Sequence, residues 1–239
     1  MTGDIQFSIR ESRRARRLRL RARPPRTVEL VVPRGLRPEI VDAFVRRHRD
    51  WIDRAARAMI HDCPEHELRP ATINVKASGE TLSVRYAAAK GERRLYARQG
   101  DQLTLHCRSN DLGDHARPLR RWILDEGSRV LEPWLEREAG RLGLHPRRVQ
   151  VRLQATRWGS CSAKGTISLN AALLLVDPPL VRYLLVHELV HLRHQSHSPR
   201  FWEEVARHEP DYVSLDRALA RCWRQLPAWL LELLGGAQC

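Results

Sequence analysis

Long apolar runs are missing from this 239-residue chain. No stretch approaches the ~18 apolar residues of a membrane span, and no apolar run of signal-peptide length follows Met1. A soluble, cytoplasmic protein is the expectation. Cysteine is sparse and unpatterned: Cys63, Cys107, Cys161, Cys222 and Cys239 show no CxxC spacing. An odd number of them in a chain this long does not describe a disulfide framework, so a reducing compartment fits. Lysine is scarcest of the charged residues, with only Lys76, Lys90 and Lys164. Even so, Lys+Arg reach 42 against 28 Asp+Glu, a formal charge of +14 carried almost wholly by arginine. Such an excess attracts nucleic acid, acidic lipid or acidic proteins at long range, and makes nucleic acid a candidate partner. The 42% hydrophobic content is ordinary for a globular protein and allows a substantial core. Internal repeats and low-complexity linkers are also lacking.

Short alternating runs dominate the first 110 residues. "IQFSIR", "RRLRLRA" and "TVELVVP" each have the period-2 pattern of a half-buried strand, with breaks at Pro24-Pro25 and Pro33-Arg34-Gly35. They read as an antiparallel meander in which Leu18 and Leu20 face inward while Arg17, Arg19 and Arg21 face water. Those three arginines suit either a nucleic-acid-binding strip or a solvated strand face; no aromatic residue sits among them to stack on bases. Apolar residues at helical spacing from Arg37 to Ile60 predict one long helix on that meander. Four more strands follow, "TINVKA", "TLSVRYA", "RRLYARQ" and "QLTLHCR", separated by Gly79, Gly91 and Gly100.

From Asp111 the character changes, which places a boundary between a β-rich region, 1–110, and a second domain, 111–239. "LRRWILDEGSRVLEPWLEREAGRLGL" is helical by periodicity, and Pro133 should kink or split it. "VQVRLQ" reads as a strand, and "TRWGSCSAKGTISLN" as a hairpin turning at Ser162–Gly165. Asp177-Pro178-Pro179 starts the next helix, with Asp177 as N-cap. The remainder, Ser198 to Leu234, is amphipathic helix broken at Pro210 and Pro227.

The helix after Asp177 carries "HELVH" in a segment that is apolar almost all round, from Tyr183 to Leu192. A helix hydrophobic on most sides belongs in the core. Residues i and i+4 share a helix face, so His187 and His191 can aim at one metal ion. Burying two histidines and Glu188 without partners would cost roughly 2–7 kcal/mol for each unpaired group. A bound cation offsets that cost, whereas two satisfied core histidines and a salt-bridged Glu188 would be the structural alternative.

A catalytic zinc site takes three protein ligands and keeps an open position. His194, His197, Glu203 and Glu204 are the candidates for the third. On a straight helix His194 would stand about 10 Å along the axis from His187, too far to converge with Zn–N bonds of ~2.0–2.1 Å. Ser198-Pro199 offers an N-cap and first-turn proline for a new helix, so the chain should break around Gln195 to His197 and let His197 fold back. His197 is favoured, with a glutamate from the following helix as the alternative.

"RWGSCSAKGTISLNAALLL", "LVHELVHLRHQSHSPRFW" and the "PDY" at Pro210–Tyr212 together resemble the YgjP-like metallopeptidase family, relatives of the WLM and SprT-like zinc proteases. "VELVVPRG" and "RRHRDWI" extend the resemblance upstream, so it covers most of the chain. It implies an α+β protein: a β-rich N-terminal half, then a zincin-like metallopeptidase domain with an HExxH active-site helix and a small antiparallel sheet. It further implies one Zn2+ per chain on His187, His191 and His197, with Glu188 as catalytic acid/base and a peptide or protein as substrate. Glu188 would take the proton of the attacking water and pass it to the leaving amine. Tyr212, Tyr183, Arg157 and His194 are candidates to stabilise the oxyanion, and Asn170 could orient a ligand or the substrate or equally serve a structural turn. The "TISLN" strand could offer its edge to an extended peptide, and Cys161 reads as structural. The rival class is a basic nucleic-acid-associated protein with a structural metal site, or a SprT-like protease acting on DNA-bound protein.

Overall fold

The computed structural model describes residues 6–13, 15–23, 27–62, 68–89, 94–108 and 114–235; the Pro24-Pro25 break, Gly91, Cys63 and Cys239 lie outside them. The chain forms two compact units, one of residues 1–69 with 227–239 and one of residues 70–226. The second sheet, read from sequence as the end of an N-terminal half, therefore shares a unit with the long helix that follows it.

In the first unit, strands β1 (Gln6–Ser12), β2 (Arg19–Arg23) and β3 (Thr27–Pro33) form a sheet in the order β1-β3-β2. β1 runs parallel to β3 and β2 antiparallel to it, which corrects the expected meander. The reason lies in composition. β3 is the most apolar of the three, with Val28, Leu30, Val31 and Val32 buried, so it takes the centre. The arginine-rich β2 keeps an edge, where Arg19 and Arg21 stay exposed while Leu20 packs inward. Helices α1 (Pro38–Arg47) and α2 (Arg49–Asp62) replace the single expected helix, separated at His48, whose Nδ1 meets the Phe44 carbonyl at 2.8 Å. Leu30 and Val32 pack with Val41, and Val28 with Ile52. Each such side chain contributes about 1.5–3 kcal/mol by burial.

The second unit opens with β4 (Thr72–Val75), β5 (Glu80–Ala88), β6 (Tyr96–Gln99) and β7 (Gln102–Cys107) in the order β4-β5-β7-β6. Helix α3 (Ala116–Leu142) packs against β6 and β7 and also against β8 (Arg148–Arg152). Tyr96 donates to Asp125 at 2.9 Å, and Arg98 bridges the buried Glu126 at 2.5 Å. α3 runs unbroken through Pro133 and ends at Gly143 in the left-handed region, φ 64°. A proline inside a helix costs ~3 kcal/mol. The buried stripe Leu131, Leu135, Ala139 and Leu142 offsets it.

β8, β9 (Gly159–Cys161) and β10 (Thr166–Asn170) form the third sheet in the order β8-β10-β9. β9 and β10 make the expected hairpin, closed by Ser162 N–H to the Thr166 carbonyl at 2.9 Å, but β8 pairs with β10 in parallel, so the sheet is mixed rather than antiparallel. "TISLN" is its central strand, with Ile167, Leu169 and Asn170 fully buried, and the edges belong to β8 and β9. Helices α4 (Pro178–Val190), α5 (Pro199–His208) and α6 (Tyr212–Cys222) complete this unit, and α7 (Ala228–Gly235) falls in the first. Pro210 and Pro227 sit at the expected breaks. Asp177 and Ser198 stand at the N-caps of α4 and α5 without side-chain cap bonds; Asp177 instead pairs with Lys76 at 3.1 Å. Among the described residues no helix is long and apolar enough to cross a membrane.

Candidate metal centre

α4 packs against α3, α5, α6 and β9, which explains its apolar circumference. Leu184, Leu185, Val186, Leu189 and Val190 fill that environment, and His187, Glu188 and the C-cap residue His191 form the polar exception. The helix ends at Val190, earlier than the sequence suggests, and turns through residues 191–193 carry the chain round. That reversal brings His197 back over the helix end.

His197 Nε2 lies 3.1 Å from His187 Nε2 and 3.2 Å from His191 Nε2, and the three donor atoms fall within 4.8 Å of one another. Tetrahedral zinc with bonds of ~2.0–2.1 Å needs donors about 3.3 Å apart, so the spacing fits. Hydrogen bonding fixes the ring orientations. His191 Nδ1 donates to the His194 carbonyl at 2.8 Å, which leaves its Nε2 with a lone pair. Tyr183 donates its hydroxyl proton to Asp216 at 2.8 Å, so its oxygen can only accept from His187 Nδ1, at a long 3.5 Å. His187 too therefore presents a bare Nε2. Burial, reinforced by the neighbouring histidines, depresses the His187 pKa to about 3 and keeps the ring neutral, as a metal ligand must be. Burial also lowers that of His191.

Aromatic side chains hold the three imidazoles. Phe201 stacks on His191 with centroids 4.5 Å apart, and Trp202 stacks on His197 at 5.5 Å. Tyr212 in turn stacks on Trp202 at 5.2 Å. The "SPRFW" and "PDY" segments thus act as a clamp behind the converging imidazoles.

The rival third ligands are engaged elsewhere or point away. His194 Nε2 and Arg193 both bind the buried Glu204, each at 2.7 Å, and Glu203 is exposed. Among the described residues no cysteine joins the histidine group. The Cys161 thiol contacts the Ser162 carbonyl at 3.6 Å, and burial with the nearby Glu188 pushes its pKa up to about 11, away from nucleophilic chemistry.

Glu188 is 4% exposed, and its Oε2 is buried with no hydrogen-bond partner in the structure. Burial raises its pKa to about 8, against a lowering pull from Arg157. β9 passes close above it: a Cβ added at Gly159 would lie 2.6 Å from Glu188 Oε1. An open cavity of about 260 Å³ lies beside the carboxylate. His187, Glu188, Arg157 and Asp216 line it together with Trp158 and Trp223, which stack at 4.2 Å.

The three sequence-derived binding candidates divide. Arg157 is exposed on the cavity wall. Tyr212 supports Trp202 from outside the cavity lining. Asn170 is fully buried and does not reach the cavity: its Nδ2 donates to the Gln154 and Arg157 carbonyls at 2.7 and 2.9 Å, and its Oδ1 caps Ala172. It shapes the loop that presents Arg157, which fits the structural turn role of its two sequence readings and not the substrate contact. Sequence reasoning missed Asp216 and the Trp158–Trp223 stack.

No curated protein matches the chain. Among solved structures it is similar to the metallopeptidase zymogen abylysin of Pyrococcus abyssi, at 32% identity over 38% of this chain and 93% of that one, TM-score 0.35. It is also similar to the zymogen jannalysin of Methanocaldococcus jannaschii, at 17% identity over 38% and 94%, TM-score 0.35. The family model for the YgjP-like metallopeptidase domain matches residues 16–222, and with most of its length so covered the chain belongs to the YgjP-like metallopeptidase family.

Proposed function

We propose that the protein is a zinc-dependent peptidase of zincin-like design, with His187, His191 and His197 as the ligands of one ion and Glu188 as the general base. The observation that carries this reading is the convergence of three Nε2 atoms beside a buried carboxylate whose Oε2 has no partner. When bound, zinc supplies Lewis-acid chemistry, lowering the pKa of water to about 7 and polarising a carbonyl oxygen. Glu188 accepts the proton of the attacking water and returns it to the departing amine; its raised pKa suits both halves of that task. Arg157, on the wall of the same cavity, is placed to hydrogen-bond the substrate near the scissile group. Tyr212 acts indirectly, by holding Trp202 against His197. β9, the edge strand of the third sheet that passes Glu188, can pair with an extended peptide and lead it past that carboxylate.

The test is zinc content together with casein cleavage, for the parent and for Glu188→Gln. Both should hold one zinc per chain and only the parent should cut. A Glu188→Gln protein that cuts as fast as the parent would overturn the assignment of the base.

A further inference from the structure

A second concave site lies in the first unit, on the face of the three-stranded sheet away from α1 and α2. Leu30 and Val32 pack with α1, so the alternation along β3 turns Glu29 and Val31 to the opposite face. Val31 is paired on one side with Arg10 and on the other with Arg19, which sets an arginine–valine–arginine row across the sheet. Arg21, two residues along β2, extends the row, and Arg16 in the preceding turn closes it. These four arginines, with Ser12, Ala15 and Val31, line a cavity of about 280 Å³.

The charges there are unevenly balanced. Glu29, 5% exposed, accepts from Arg10 Nε at 3.0 Å and holds that guanidinium in place. Arg16, Arg19 and Arg21 have no acidic partner among the described residues. Three unpaired guanidiniums around one concavity repel each other unless an anion enters. Planar guanidinium forks match phosphate oxygens bidentately, which a lysine cannot do. Among the described residues no aromatic side chain lines the cavity, so no ring there stacks a base. Phe7 and Ile9, the exposed apolar residues of β1, alternate onto its other face, so the arginine face carries no apolar anchor for a bilayer.

We propose that this cavity is a phosphate site for the sugar–phosphate backbone of nucleic acid, gripping it without reading sequence. The whole-chain charge of +14 brings the polymer in, and the arginine row holds it. The inference stands apart from the metal centre and survives if the peptidase reading fails.

The experiment measures fluorescence anisotropy of a labelled mixed-sequence DNA duplex with the full chain across a salt series. Each phosphate contact contributes about 0.9 to the slope of log affinity against log salt. Replacing Arg16, Arg19 and Arg21 together by alanine should weaken binding at least tenfold and reduce the slope by about 2–3. Replacing the exposed Arg117, Arg137 and Arg207 removes the same charge elsewhere and should weaken binding only a few-fold. The corresponding triple lysine variant should recover most of the slope but not the affinity. Equal losses in the two alanine triples, or no binding by the parent, would overturn the proposal. So would full displacement of the duplex by millimolar inorganic phosphate at constant ionic strength, or binding of phosphatidylserine vesicles in place of the duplex. Unchanged thermal melting of the alanine triple shows that its loss is local.

Discussion

Gly159→Ala tests the placement of Glu188 without touching either the carboxylate or a metal ligand. Gly159 does not occupy the positive-φ region, so an alanine backbone is tolerated and only the new methyl group matters. That Cβ would stand 2.6 Å from Glu188 Oε1 and 2.9 Å from both Cδ and Cγ. Carbon contacts are comfortable at ~3.5–4.0 Å, so relief requires a shift of roughly 0.6–1 Å. Rotating the carboxylate alone is insufficient because Cγ is also too close, and the side chain is buried with little room to retreat. Overpacking of this kind costs about 1–3 kcal/mol, and a displacement near 1 Å in a catalytic group costs on the order of 10²-fold in rate. The variant should therefore bind zinc as the parent does, melt a few degrees lower, and lose kcat by about 10²-fold on a casein-derived peptide. Zinc per chain, kcat and Tm measured on one preparation decide the matter. A zinc-loaded variant with the parent's kcat would refute the close passage of β9 over Glu188, or the role of Glu188 itself.

Three other expectations are accessible. His197→Ala should abolish stoichiometric zinc binding while His194→Ala, whose ring pairs with Glu204, retains it; the reverse pattern in metal analysis would reject the ligand set. Asp216→Asn and Tyr183→Phe should each weaken zinc affinity about 10–100-fold in chelator competition, because the chain from Asp216 through Tyr183 orients His187; unchanged affinity would make that chain incidental. The Glu80 pKa is lowered by the Ser78 hydroxyl, opposed by partial burial and aided by Arg98 and Arg129. Its folded value lies below its unfolded one, so its contribution to stability is present above the ordinary 4.5 and is lost as pH falls through the depressed folded value. Urea midpoints for the parent should drop more steeply below that pH than those of Glu80→Gln, and parallel curves would contradict the linkage.

The convergence of the three histidines was legible because their spacing is set by helix geometry and by one chain break. A buried apolar helix bearing His187 and His191, followed by Ser198-Pro199, leaves His197 the nearest imidazole able to return. Strand existence was equally readable from alternation, as in Leu18 and Leu20 against Arg17, Arg19 and Arg21. Strand order was not. Parallel β1–β3 and β8–β10 pairing depends on which strand is most apolar on both faces, a property of the assembled sheet. The continuity of α3 through Pro133 has the same origin: its packed stripe outweighs a local penalty visible in sequence. Asn170 stayed open in sequence because a buried amide that binds carbonyls looks there like one that binds substrate. Asp216 and the Trp158–Trp223 stack were hidden because their partners lie far away along the chain.

The first unit is discontinuous, built from residues 1–69 and 227–239 with the whole histidine-bearing unit between them. During synthesis the sheet β1-β3-β2 emerges before the second unit, yet the α7 segment grouped with it follows that unit. At ~5–20 residues per second the intervening unit takes roughly 8–30 s to emerge. The histidine-bearing unit has all its residues before the first unit does, so its core can form while the first unit still lacks its carboxy-terminal segment.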